Sequence, residues 1–247
     1  MIFEGGPAPV VIGHRGMGSG PLPVPENTIA SLLATVEAGL SWVEVDVQRT
    51  GDDELVLRHD PTTADGRFVI DRTADELGLP RLAEVFDALP PGVGVDVDVK
   101  TILEDAVDAP SRRTGALLLP LLAAEARRRP LLVTSFDPAM LAQFREELPG
   151  VPLGLLTWTR FPMGQAVAAA AGLGLQAVAL DTGSFKLNGA GGEAHRPAAH
   201  SVEAARKAGL EVLAWCPKPE EVTAYRDAGV DAVIVDDIPG TLAALRH

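Results

Sequence analysis

The sequence predicts one (β/α)8 barrel, a closed ring of parallel strands covered by helices, on three observations. The chain has 247 residues, close to the roughly 250 of a typical barrel of this kind. Short apolar runs rich in β-branched residues alternate eight times with segments of helical period, the signature of repeated βα units. No linker or low-complexity stretch interrupts the series. A closed barrel over residues 1–247 is therefore preferred to an open doubly wound sheet or to two domains.

The strands are expected at Val10–Gly13, Trp42–Gln48, Val93–Lys100, Leu131–Ser135, Pro152–Leu156, Gln176–Leu180, Glu211–Trp215 and Asp231–Val235. Helices are expected near Thr28–Ala38, Leu82–Leu89, Gly115–Arg128, Pro138–Leu148, Met163–Leu173, Ala198–Ala208, Pro219–Ala228 and Pro239–Leu245. Asn27 or Thr28 caps the first helix and Gly39 ends it. Asp137-Pro138 opens the fourth with proline at its first helical position. Gly209 and Gly229 terminate the helices that feed the last two strands. Glu54–Arg58 reads as a hairpin extending the second unit, and the polar stretch Thr101–Thr114 as irregular.

Composition narrows the partners. The net charge is −13, which argues against nucleic acid, since phosphate backbones are gripped by cationic surface. Cys216 is the lone cysteine, so there is neither a disulfide nor a thiolate cage. The N-terminus lacks a signal-like apolar segment, and no run of about 18 apolar residues exists to span a bilayer. A cytoplasmic protein without stable membrane association is expected.

In such a barrel, catalytic side chains cluster where strands end at their C-terminal sides. The first strand ends in His14-Arg15-Gly16. On the second, Glu44 and Asp46 share one side, with Val43, Val45 and Val47 opposite. On the third, Asp96, Asp98 and Lys100 share one side, with Val95, Val97 and Val99 opposite. Carboxylates aimed into a barrel repel one another and are costly to desolvate. A hard divalent cation, Mg²⁺ or Ca²⁺, relieves this with oxygen ligands. Zinc is less suited, with no histidine pair at ligand spacing and only Cys216 as an anchor. His14, and His59 in His59-Asp60, are two imidazoles suited to moving protons near neutral pH. Arg15 and Lys100 are the cations for phosphate oxygens. Trp215 and Phe136 stand where a pocket wall is expected, and His195 and His200 are read as solvated.

Taken in order, His14-Arg15-Gly16, Pro25-Glu26-Asn27-Thr28, Glu44-Val45-Asp46, His59-Asp60, Val97-Asp98-Val99-Lys100, Trp215 and Asp237-Ile238-Pro239 resemble the glycerophosphodiester phosphodiesterase family. The resemblance implies a TIM barrel that hydrolyses glycerophosphodiesters to sn-glycerol 3-phosphate and an alcohol with Mg²⁺ or Ca²⁺. It implies that Glu44, Asp46 and Asp98 hold the metal, and that His14 and His59 are the acid–base pair. Arg15 and Lys100 would contact phosphate, and Glu26 would orient its neighbours. Whether a glycerol hydroxyl or water attacks is left open. The chain departs from the family pattern in Asp98 for the usual Glu, in Thr62-Thr63-Ala64 for Arg-Thr-Thr, and in Cys216-Pro217-Lys218 for Thr-Val-Asn. The catalytic set is complete and the substrate-facing rim is altered. Two rival readings follow, a phosphodiesterase for lysophospholipid head groups and a barrel that binds a phosphodiester without turnover.

Overall fold

The computed structural model describes residues 1–3, 9–18, 24–186 and 197–246. Among the described residues nine strands form one sheet: β1 (Val10–Gly13), β2 (Trp42–Arg49), β3 (Leu55–Leu57), β4 (Gly94–Val99), β5 (Leu131–Ser135), β6 (Leu153–Leu156), β7 (Ala177–Asp181), β8 (Glu211–Trp215) and β9 (Ala232–Val235). Their spatial order is β1-β9-β8-β7-β6-β5-β4-β2-β3. Because β1 pairs in parallel with both β9 and β2, the eight parallel strands close into a TIM barrel. β3 lies outside the ring, antiparallel to the end of β2, with Val47 opposite Leu57. It is the hairpin read at Glu54–Arg58.

The helices are α1 (Ile29–Glu37), α2 (Ala74–Leu77), α3 (Leu82–Ala88), α4 (Thr114–Glu125), α5 (Pro138–Glu147), α6 (Met163–Gly172), α7 (Thr182–Lys186), α8 (Ala198–Lys207), α9 (Val222–Ala228) and α10 (Ile238–Leu245). Thr28 caps α1 by accepting from the Ser31 amide, and Asp137 caps α5 through the amides of Ala139 and Met140. Two of these helices were not expected. α2 is set by a capping box of Thr73 and Glu76. α7 follows directly on β7, where no helix was expected. Within Thr101–Thr114 the chain makes two 3-10 turns, Leu103–Ala106 and Pro110–Arg112. Fully buried Arg49 holds this segment to the β2–β3 hairpin, bonding Asp108, the Arg112 carbonyl (2.6 Å) and Asp53 (3.1 Å).

The strict alternation on β2 and β4 separates two apolar layers. Val43, Val45, Val47, Val95, Val97 and Val99 are buried in the layer between sheet and helices. Ile12, Trp42, Leu132, Leu156, Leu213 and Ile234 belong to a second cluster inside the barrel. Phe3 joins this inner cluster by packing edge-on against Trp42, with ring centroids 5.1 Å apart. Trp42 lies opposite Gly94 in the β2–β4 register. A Cβ on Gly94 would come within 2.3 Å of the indole, so the glycine makes room for the large ring. Two and four residues on, Glu44 faces Asp96 and Asp46 faces Asp98. The interior therefore changes from apolar to acidic towards the carboxyl ends of the strands.

Candidate active site

After β1 the chain turns sharply, with Arg15 and Gly16 both left-handed (φ 54° and 89°). A Cβ on Gly16 would stand 2.4 Å from the Ser31 hydroxyl, so this turn needs glycine. Ser31, fully buried on α1, takes the Met17 amide (2.8 Å) and donates to the Arg15 carbonyl (3.2 Å). The turn is thus fixed to the first helix. The Arg15 amide donates to Glu44 (2.8 Å). Its guanidinium bonds both carboxylate oxygens of Glu26 (3.0 and 3.1 Å) and lies 3.0 Å from Asp46.

Glu44, Asp46 and Asp98 are all buried, and a carboxylate oxygen from each lies within 4.8 Å of the others. Lys100 pairs with Asp46 (2.8 Å) and with Asp98. Burial, followed by the charges of Asp46, Asp98 and Asp96, holds the Glu44 carboxyl well above the usual range. Burial also raises Asp98 to about 6, against the pull of Lys100. Asp46 is pushed up by burial, but Lys100 and Arg15 outweigh this and its carboxyl falls below the ordinary value. Asp96, beneath them, accepts from the Thr134 hydroxyl (2.9 Å) and is raised by burial to about 8. It is the fourth inward acid of the sequence pattern, but it stands outside the three-carboxylate cluster.

The set is suited to a hard cation. One Asp98 oxygen is buried with no hydrogen-bond partner among the described residues, and several buried acids converge where full ionisation needs a positive counter-charge.

These acids line a cavity of about 590 Å³, with His14, Arg15, Gln48, His59, Lys100, Phe136, Trp158, Trp215 and Cys216 also on its walls. Each histidine is held at Nδ1 by a carboxylate: His14 by Asp236 (2.7 Å) and His59 by Asp60 (2.8 Å). Carboxylate acceptors place the imidazole proton on Nδ1 and leave Nε2 for other chemistry. In His14, Nε2 lies 3.9 Å from Glu44. Phe136 and Trp158 stack at 4.3 Å, and Lys100 stands 5.7 Å from the Phe136 centroid. Trp158 is 68% exposed, whereas Phe161, three residues on, packs against the helix layer. Trp215 is half-buried, and its indole N–H has no partner among the described residues.

All nine site positions expected from the sequence fall at this end of the barrel. Eight of them line the cavity. Glu26 instead reaches the site through Arg15, on the wall of a neighbouring 250 Å³ cavity that also contains His59. His200 is exposed on α8, and His195 lies outside the described residues. Two contributors went unrecognised. Asn27, expected as a helix cap, donates to Asp46 (2.8 Å) and accepts its amide (3.1 Å). Gln48 donates to the carbonyls of Arg58 and His59 (3.2 and 2.9 Å), fixing the backbone of the His59 loop. The signal for Gln48 was present, because it continues the inward series Glu44, Asp46. Nothing in the sequence separates Asn27 from a cap.

An acidic cluster, two oriented imidazoles and two cations around one cavity at a barrel's carboxyl end define an enzyme that hydrolyses an anionic ester. Residues 14–239 match the glycerophosphoryl diester phosphodiesterase family. The chain belongs to that family and is a phosphodiesterase. It is 26% identical over 260 aligned positions to the glycerophosphodiester phosphodiesterase of Caldanaerobacter subterraneus subsp. tengcongensis, covering 96% of this chain and 97% of the relative. Two solved structures share the fold. A phosphodiesterase from Oleispira antarctica, in complex with the product sn-glycerol 3-phosphate, superposes with TM-score 0.78 at 23% identity, covering 97% of this chain and 98% of the other. The glycerophosphodiester phosphodiesterase of Thermotoga maritima gives 0.73 at 21%, with the same coverage.

Proposed function

We propose that the protein hydrolyses small, water-soluble glycerophosphodiesters to sn-glycerol 3-phosphate and an alcohol, with a divalent cation held by Glu44, Asp46 and Asp98. The observation that carries this reading is the convergence of those three carboxylates beside His14 and His59. When bound, Mg²⁺ or Ca²⁺ supplies charge neutralisation and Lewis-acid polarisation of the phosphoryl group. The remaining work falls to the side chains. Arg15, braced by Glu26, and Lys100 bind non-bridging phosphate oxygens with the donors not engaged by Asp46 and Asp98. One of His14 and His59 takes the proton of the attacking hydroxyl. The other protonates the departing alcohol oxygen as the P–O bond breaks. Trp215 offers an apolar wall and an indole donor to the ligand. Hydrolysis of glycerophosphocholine with and without added Mg²⁺ or Ca²⁺ is the direct test; a chain inert under both conditions would refute the reading.

Asn27 holds Asp46 from behind, as supports of metal ligands commonly do. Asn27→Ala is expected to weaken cation affinity by about 10- to 100-fold while keeping the fold. Titration of turnover against cation concentration checks it, and an unchanged half-saturation point would remove Asn27 from the site's supports.

Exposed Trp158, stacked on Phe136 at the cavity wall, favours a second reading in which the substrate is a lysophospholipid. The net charge of −13 opposes it, because anionic bilayers repel such a surface. No helix among the described residues is long and apolar enough to cross a membrane. Glycerophosphocholine and glycerophosphoethanolamine are therefore expected to outrun lysophosphatidylcholine and phosphatidylcholine vesicles in rate. Preference for either lipid, or sedimentation of the protein with vesicles, would establish the second reading instead.

A further inference from the structure

His14 stands between two different donor sets. Its Nε2 faces the oxygen cluster through Glu44, and its Nδ1 faces Asp236 and Cys216. Asp236 follows β9, which lies beside β1 in the barrel order, and Cys216 follows β8, the strand beyond it. Parallel pairing of Trp215 with Ile234 and of Gly13 with Val235 brings the next residues of all three strands to the rim together. The Cys216 amide donates to the Ile234 carbonyl (2.8 Å), which fixes the residue carrying the thiol. On the far side, a Cβ on Gly18 would stand 2.5 Å from the Cα of Asp236, so Gly18 packs directly against that backbone.

We infer that His14 Nδ1, Cys216 Sγ and an Asp236 carboxylate oxygen form a second cation site, for a thiophilic divalent ion such as Zn²⁺, and that filling it inhibits hydrolysis. The three donor atoms lie within 4.8 Å of one another. In a tetrahedral zinc site, bonds of about 2.0–2.1 Å to N and O and about 2.3 Å to S put donors roughly 3.3–3.6 Å apart. The Sγ to Nδ1 distance is already 3.5 Å. The Nδ1 to Oδ1 distance of 2.7 Å is that of the hydrogen bond the ion would replace. Opening it by roughly half an ångström completes a three-ligand site with one position left for water. On loading, the thiol proton and the Nδ1 proton pass to solvent.

The donor set decides the ion. Nitrogen, sulfur and a single carboxylate suit a borderline-soft cation, whereas Mg²⁺ and Ca²⁺ prefer the all-oxygen cluster on the other face of the imidazole. Cys216 is also where this chain departs from the family pattern of threonine after the tryptophan. The donors come from positions 14, 216 and 236, far apart in sequence, which is why ligand spacing along the chain gave no sign of zinc. Inhibition rests on the proposed role of His14: a cation on Nδ1 removes the proton that Asp236 holds there and drains basicity from Nε2.

The test uses the full chain with excess Mg²⁺ to saturate the oxygen cluster, titrated with Co²⁺ as a spectroscopic stand-in for Zn²⁺. A thiolate-to-cobalt charge-transfer band in the near ultraviolet, saturating near one equivalent, is expected. It should vanish in Cys216→Ala and in Cys216→Thr, the latter carrying the family's own residue as a safeguard for folding. Asp236→Asn should weaken cobalt binding by about 10-fold or more. No band in the parent chain, or a band that survives in both Cys216 variants, overturns the site. In parallel, Zn²⁺ is titrated against glycerophosphocholine turnover at fixed Mg²⁺, each variant normalised to its own zinc-free rate. Half-inhibition should need about 10-fold more Zn²⁺ in the Cys216 variants. Equal sensitivity would place the inhibitory ion on the oxygen cluster and refute the inhibitory role. The cobalt band does not depend on turnover, so failure of the hydrolytic reading leaves the site itself under test.

Discussion

Dialysis against excess chelator is expected to abolish glycerophosphodiester hydrolysis, and a stoichiometric divalent cation to restore it. Glu44, Asp46 and Asp98 are buried together, with Lys100 and Arg15 as cationic partners. Without a cation, burial and neighbouring carboxylates hold Glu44 and Asp98 above their ordinary values. Asp98 lies at about 6 in the folded chain, above its unfolded value. Its protonated form therefore favours the metal-free fold at low pH, and this contribution is lost as pH rises through about 6. Cation binding opposes that loss, so added Mg²⁺ or Ca²⁺ should raise Tm more near pH 8 than near pH 5. At about a hundredfold excess over Kd the stabilisation is about 2.7 kcal/mol, on the order of 5–10 °C for a chain of this length. Asp46→Asn should cut turnover by at least about 100-fold, because it removes a ligand and leaves Lys100 and Arg15 facing a neutral amide. Full turnover in excess chelator, or a Tm increment that is larger at the lower pH, would refute this account.

His14→Ala and His59→Ala should each lower kcat by about 10²- to 10⁴-fold, the usual cost of losing a general acid or base. His59 is 42% exposed on its loop, and its removal leaves no buried partner unsatisfied. His14 is 14% exposed, and its partner Asp236 remains 37% exposed. Circular dichroism and Tm should therefore stay near those of the parent chain while rate collapses. Exposed His200 on α8 lies off the cavity wall, and His200→Ala serves as the nearly silent control. Near-normal turnover in either site variant would demote that histidine to a structural role.

Asp236→Asn separates orientation from chemistry. With an amide in place of the carboxylate, His14 loses the partner that fixes its Nδ1 proton. A rate intermediate between the parent and His14→Ala is expected, with cation half-saturation little changed. An Asp236→Asn rate equal to that of the parent would show that the imidazole needs no such brace.

Much of this molecule is written in local pattern. Alternation of valine with acid on β2 and β4 is a period-two signal, and in a ring of parallel strands covered by helices it has one solution: valines outward, acids inward. That fixed the barrel, all eight of its strands to within one residue at either end, and the two carboxylates of Glu44-Val45-Asp46 as neighbours. Asp137-Pro138, Gly39, Gly209 and Gly229 likewise marked helix ends, because caps and left-handed turns depend on the residue and its immediate neighbours. What local pattern leaves open is every choice between near and distant partners. Asn27 has the chemistry of a cap, yet Thr28 caps α1 and Asn27 turns to Asp46, 19 residues away. Arg49 is a cation at the end of β2, and it is fully buried among acceptors as far along the chain as Arg112. The sequence by itself determined the barrel and the inward acids, since both follow from periodicity and burial. Only the tertiary structure decided that His14 faces Glu44 on one side and Asp236 with Cys216 on the other, because strand order around the ring, not distance along the chain, sets which side chains meet.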